Sequence, residues 1–164
     1  MITYVYPKNV LTETGKNVKN LLKKQPLQIG LGERKTTVFN ENEYIILDFG
    51  KELCGGVRIF TYRGGDIPVR IRFGESLTEA SSELGGKTNA TNNHSLRDVT
   101  VNLQSYSDMT FGQTGFRYVR IDFYGRVEIK SIVAAVNELN KKAIYTYNGN
   151  DVRIREIFDR SEER

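Results

Sequence analysis

Of the 164 residues, one is cysteine, one is histidine, three are proline and none is tryptophan. A lone Cys54 excludes an internal disulfide and any zinc site built from several cysteines. His94, the sole histidine, has no second histidine or cysteine nearby with which to anchor zinc. The lack of tryptophan removes an indole platform for sugars, although 9 Tyr and 8 Phe remain for stacking. No apolar run approaches the ~18 residues that a membrane-spanning helix needs. The opening "MITYVYPKNVLTETGK" lacks the charged start and apolar core of a signal peptide. A reducing, cytoplasmic location with no membrane partner is therefore the expectation.

What is present reads as an ordinary globular protein: 38% hydrophobic and 27% charged residues, a length that suits one domain. The net charge is +4, and its excess sits early, where Lys8, Lys16, Lys19, Lys23, Lys24, Arg34 and Lys35 face only Glu13 and Glu33. Such a face can attract phosphates, yet much more often it is simply a solvated surface, and no nucleic-acid partner is expected from it.

Along the chain, "VKNLLKKQP" (18–26) suits a helical turn or two ended by Pro26. From Leu27 the period becomes two. "EYIILDFG" (43–50) reads as a buried strand closed by glycine, and "GGVRIFTYRGG" (55–65) as another bracketed by glycine pairs. "IPVRIRFG" (67–74) places Val69, Ile71 and Phe73 inward and Arg70 and Arg72 outward. A small, polar stretch, 75–95, reads as a long loop. Strands resume at "RDVTVNLQ" (97–104), with Val99, Val101 and Leu103 on one face, and continue to about residue 136, with Gly125-Arg126 suited to a tight hairpin. About seven to nine short strands, with helix only near the ends, point to an antiparallel sandwich or jelly roll spanning about 27–136. Its expected core holds Val69, Ile71, Phe73, Val99, Val101, Leu103, Val119 and Ile121.

"TGFRYVRIDFYG" (114–125) shares Gly115, Phe116, Tyr118 and Val119 with an RNA-binding signature. The match fails in detail, because Thr114 replaces a base, Arg117 a small residue and Ile121 the last aromatic. The interleaved helices of that fold cannot be placed around it either. The stretch reads as a core strand, with Phe116 and Tyr118 on the face opposite Val119 and Ile121.

Four blocks then occur in order at close spacing: "ILDFGKELCGGVRI" (46–59), "VRIRFGESLTEASSELG" (69–85), "ATNNHSLRDVTVNL" (90–103) and "SDMTFGQTGFRYVRIDF" (107–123). Together they resemble the β-sandwich domain that precedes the catalytic barrel in bacterial α-L-rhamnosidases of glycoside hydrolase family 78. "YTYNGNDVRIREIFDRSEER" (145–164) is similar to the junction where those enzymes enter their (α/α)6 barrel. The resemblance implies an all-β fold, an antiparallel β-sandwich that is concanavalin-like or galactose-binding-like, with a short C-terminal helix. The implied division is an N-terminal extension at 1–26, the sandwich at 27–140, and a linker and barrel start at 141–164. The family's general acid and base lie in the barrel, so the resemblance carries no catalytic carboxylate to this chain. It implies a domain of a longer enzyme, or a truncated product.

Candidate sites divide by chemistry. Glu75, Glu79, Glu83 and Asp98 are the carboxylates that a self-sufficient glycosidase would draw on. For carbohydrate binding the candidates are Glu75, Asn92, Asn93, Arg97 and Asp98, whose planar donors and acceptors suit sugar hydroxyls. The same oxygens are candidates for Ca²⁺, although no cofactor is required. The alternative is structural, with the Asn-rich segment a turn and Arg97–Asp98 beside Glu75 an ion pair. The expected role is a non-catalytic accessory domain that braces the barrel and contacts rhamnose-containing glycans, a second copy of the chain being a candidate partner. A free-standing carbohydrate-binding protein is the alternative, and a nucleic-acid-binding sandwich a more remote one. For the C-terminus, Asp151 suits a helix cap. The stripe Ile154, Ile157 and Phe158 is expected to fold back on the sandwich or to pair with a second copy.

Overall fold

The computed structural model describes residues 1–11, 14–25, 35–83, 97–137 and 149–162. Its strands are β1 (Ile2–Val5), β2 (Asn9–Val10), β3 (Thr37–Phe39), β4 (Tyr44–Arg63), β5 (Ile67–Gly74), β6 (Asp98–Leu103), β7 (Asp108–Phe123) and β8 (Val127–Asn137). A 3₁₀ turn at Val18–Leu22 and two helices, α1 (Leu77–Ser81) and α2 (Val152–Glu162), complete the described elements. All strand pairs are antiparallel. The spatial order is β1-β8-β4-β7-β5-β6, with β2 added to β4 and β3 to β8.

One sheet becomes a sandwich because β4 and β7 run through both of its wings. The first part of β4 lies between β2 and the end of β7, where Leu47 faces both Val10 and Val119. Its second part lies between β8 and the start of β7, where Val57 faces both Ala134 and Phe111. Register slips between Asp48 and Leu53, and again between Gly55 and Val57, mark the fold in the sheet. The wings close on an aromatic seam. Phe39 of β3 stacks on Phe123 of β7 with centroids 4.1 Å apart, and Phe116 meets Phe49 and Phe73 edge-on. These rings are fully buried, and each such side chain contributes about 1.5–3 kcal/mol.

Val69, Ile71, Phe73, Leu103, Val119 and Ile121 all lie in this core. Val99 and Val101 are only partly buried against it, because β6 is the outermost strand of its wing. The N-terminal segment expected as an extension is woven in. β1 pairs with β8, β2 pairs with β4, and Leu21 is fully buried.

Several expectations are corrected. The two strands read at 43–50 and 55–65 are one strand of 20 residues. Gly50, at φ 79, bends it without ending it. Arg72 is buried, with its residue 4% exposed, although its place in the alternation is outward. Phe116 and Val119 share the interior rather than opposing faces. Two half-exposed residues, Arg117 and Tyr118, separate them, so the inward parity of β7 changes opposite the slip in β4. Gly125-Arg126 closes no hairpin, since β4 lies between β7 and β8. Part of the long loop is α1, whose Ser76 accepts from the Glu79 amide while Glu79 accepts from the Glu75 amide. Asp151 does cap α2, accepting from the amides of Arg153 and Ile154. Of the stripe, Ile154 and Ile157 remain exposed, as does Val152 beside them, and do not fold back, while the side chain of Phe158 lies outside the described residues.

Candidate functional site

Antiparallel register assembles a charged array on the outward face of the β4–β7–β5–β6 wing. Tyr44, Asp122 and Arg70 stand opposite one another on successive strands, and Arg120, Arg72 and Asp98 form the adjoining row. Asp122 accepts from Arg120 through Nε and Nη2 (3.0 and 2.7 Å to Oδ1), and from Arg72 Nη2 (2.7 Å to Oδ2). Arg70 donates a fork to Asp98, Nε at 2.9 Å and Nη2 at 2.5 Å. Glu83, just beyond α1, accepts from Arg70 at 2.7 and 3.2 Å and from Arg72 at 3.1 Å. The Arg120 guanidinium lies over the Tyr44 ring, 4.3 Å from its centroid. Above the array opens a cleft of about 290 Å³, whose lining includes Arg70, Arg72, Arg120, Tyr44 and Tyr124.

The guanidiniums hold Asp122, Glu83 and Asp48 ionised. Burial pushes Asp122 up, but hydrogen bonds from Arg120 and Arg72 outweigh it and leave the group below its ordinary value. Hydrogen bonding from Arg70 lowers Glu83, and hydrogen bonding from Arg117 lowers Asp48 on the same wing. Arg70 is raised in turn, first by Asp98 and then by Glu83. A general acid needs the opposite displacement, a carboxyl raised toward neutrality. The array is suited to donating and accepting hydrogen bonds in fixed directions.

The candidates named from sequence fall into two clusters. Glu75 and Arg97 meet at the end of β5, with Arg97 Nη2 3.1 Å from Glu75 and Nη1 bonded to Glu79. Asp98, the next residue, turns to Arg70 and joins the array instead. The expected trio of Arg97, Asp98 and Glu75 is thus split by strand alternation. Asn92, Asn93 and His94 lie outside the described residues. Among the described residues no group of three or more His, Cys, Asp or Glu is placed to hold a metal ion. Cys54 is exposed. Arg70, Arg72, Arg120, Asp122 and Tyr44 were missed. Their signal was the paired outward arginines of "VRIRF" and the Arg-x-Asp of "RIDF".

Comparison with known proteins adds a family and a fold. The bacterial alpha-L-rhamnosidase concanavalin-like domain matches residues 39–145. A rhamnosidase from Klebsiella oxytoca with rhamnose bound superposes with a TM-score of 0.53 at 15% identity, over 73% of this chain and 26% of that one. The GH78 family rhamnosidase of Bacillus sp. GL1 gives 0.53 at 13% identity, over 90% of this chain and 15% of its own. The CBM32 of AlyQ, in complex with 4,5-unsaturated mannuronic acid, gives 0.53 at 15% identity, over 80% of this chain and 97% of its own. At these identities the likeness to solved structures is one of fold, and the chain spans only a minor part of either rhamnosidase. No curated protein matches.

Proposed function

We propose, because the chain belongs to the family of bacterial α-L-rhamnosidase concanavalin-like domains, that it is the non-catalytic accessory β-sandwich of an α-L-rhamnosidase-like glycoside hydrolase. Its work in this reading is to brace the catalytic barrel, whose entry the sequence of residues 145–164 resembles, and to contact carbohydrate at the arginine-lined cleft. One observation carries the reading. Among the described residues, the carboxylates whose pKa moves, Asp48, Glu83 and Asp122, all move down under guanidinium donors, whereas glycoside hydrolysis needs one carboxyl held up as an acid. Forked donors beside tyrosines suit an array of hydroxyls.

A free-standing carbohydrate-binding protein is the second reading. It is favoured by the match to the AlyQ module over 97% of that module's length, and in it L-rhamnose raises the melting temperature of the isolated chain, with or without Ca²⁺. The accessory reading expects no turnover of an aryl α-L-rhamnoside by the purified chain. Turnover that Glu75→Gln abolishes would overturn it.

A further inference from the structure

One carboxylate of the array stands apart from the rest. Asp98 and Asp122 are strand residues with side chains 9% and 17% exposed, whereas Glu83 follows α1 and its side chain is 67% exposed. Even so, Glu83 spans two guanidiniums, accepting from Arg70 and Arg72 together. An exposed carboxylate in such a place is weakly held, since water competes for both partners.

Beneath it, Arg72 is incompletely served. Its side chain is 5% exposed, Nη2 reaches Asp122, and Nε finds no acceptor among the described residues. The second oxygen of Asp122 is committed to Arg120, so the fork of Arg72 is half filled. Once Glu83 swings out, Arg70 and Arg72 lose the acceptor they share, while Asp98 and Asp122 stay paired on the sheet and Glu43, at the cleft wall, accepts from the Asn40 amide. The donors that lose Glu83 are Nη1 and Nη2 of Arg70 and Nη1 of Arg72, the last of which keeps a long contact to the Ser82 carbonyl. The Nη1/Nη2 fork of Arg70, with Arg72 Nη1 converging on one of the same oxygens, matches a carboxylate in geometry as well as in charge. The cleft above them holds about 290 Å³, room for one sugar ring and at the lower limit of the ~300–1,000 Å³ typical of small-molecule pockets. Tyr124, 47% exposed, also lines it.

We infer that this cleft binds a carboxylate-bearing sugar, a uronic acid residue of a glycan, whose carboxylate displaces Glu83 from Arg70 and Arg72. Glu83 is then a built-in counter-anion that keeps the guanidiniums paired when no acidic sugar is present. The inference rests on the carbohydrate-contact reading above and narrows it to acidic glycans.

Titrating the full ¹⁵N-labelled chain at constant ionic strength with sodium D-glucuronate, D-glucose, L-rhamnose and sodium acetate tests it. Glucuronate is expected to bind at least about tenfold more tightly than glucose or acetate, the worth of charge-assisted hydrogen bonds on a sugar that also fills the cleft. Glu83→Gln, an exposed and near-isosteric change, is expected to strengthen glucuronate binding about threefold by removing the competitor. Arg70→Gln is expected to abolish it. Glucuronate no tighter than glucose, or unaffected by Glu83→Gln, overturns the inference, and acetate equal to glucuronate reduces the site to a simple anion site and overturns it too. Rhamnose bound in preference to glucuronate leaves the accessory reading standing and fells this one. Aryl rhamnoside turnover fells the accessory reading while leaving the glucuronate titration to decide the cleft.

Discussion

Asp122 shows how far a single side chain on the outer face reaches. It is the shared acceptor of Arg120 and Arg72, so Asp122→Asn removes a charge from two guanidiniums, one of them buried. The expected loss is about 2 kcal/mol, the scale of hydrogen bonds to charged groups, read from the urea midpoint at unchanged m-value. The same residue gives the pH dependence its sign. Asp122, Glu83 and Asp48 have folded pKa values below their ordinary carboxylate values. Their contribution is complete above the unfolded values near ~4 and is lost as the pH falls through the lower folded values. Melting temperature is therefore expected to stay level from about pH 7 to 5 with respect to these groups and to fall below about 4. The acid limb should be shallower in Asp122→Asn, and an acid limb identical in the two proteins would refute the assignment.

At the scale of elements, the sandwich depends on β4 passing between β7 and β8 where its register slips. Gly56 sits at that crossing, and a Cβ there would lie 2.3 Å from the Gly112 carbonyl oxygen and 2.4 Å from that of Phe111. Both obstacles are backbone and cannot rotate away. Gly56→Ala is thus expected to destabilise by about 3 kcal/mol, the upper part of the range for overpacking. Guanidinium denaturation checks it, and a loss of under about 1 kcal/mol would mean that the strands yield there. This crossing also explains what the sequence could and could not tell. Alternation disclosed the inward faces of β5 and β6, because each of those strands keeps one parity from end to end. It misled at Phe116, because a change of parity in β7 belongs to its pairing with β4 and leaves no local mark. Gly50 and Gly55-Gly56 looked like strand ends for the same reason, as their partners lie far along the chain. The Glu75–Arg97 pair was legible as neighbours of a strand end. The arginine array was not, since Arg72 meets Asp122 across 50 residues and only three-dimensional register brings them together.

Across the whole molecule, stability resides in the sandwich and not in α2, whose Val152, Ile154 and Ile157 are 67%, 47% and 68% exposed. Deleting residues 150–164 is expected to leave the melting temperature within about 2 °C, the shift that a few tenths of a kcal/mol produces at this size. A larger fall, or a change in oligomer size by light scattering, would show that the helix covers something in solution. The pairing of β1 with β8 bears on how the molecule is made. Val5 opposes Ala134 and Ile2 opposes Asn137. A ribosome adding about 5–20 residues per second brings out that partner on the order of ten seconds after β1 has emerged. The second half of β4 waits too, because one of its two neighbours is also β8. During synthesis a nascent chain stalled short of Val127 therefore leaves β1, β3 and the second half of β4 without their β8 partner, the form in which a chaperone or another nascent copy meets it.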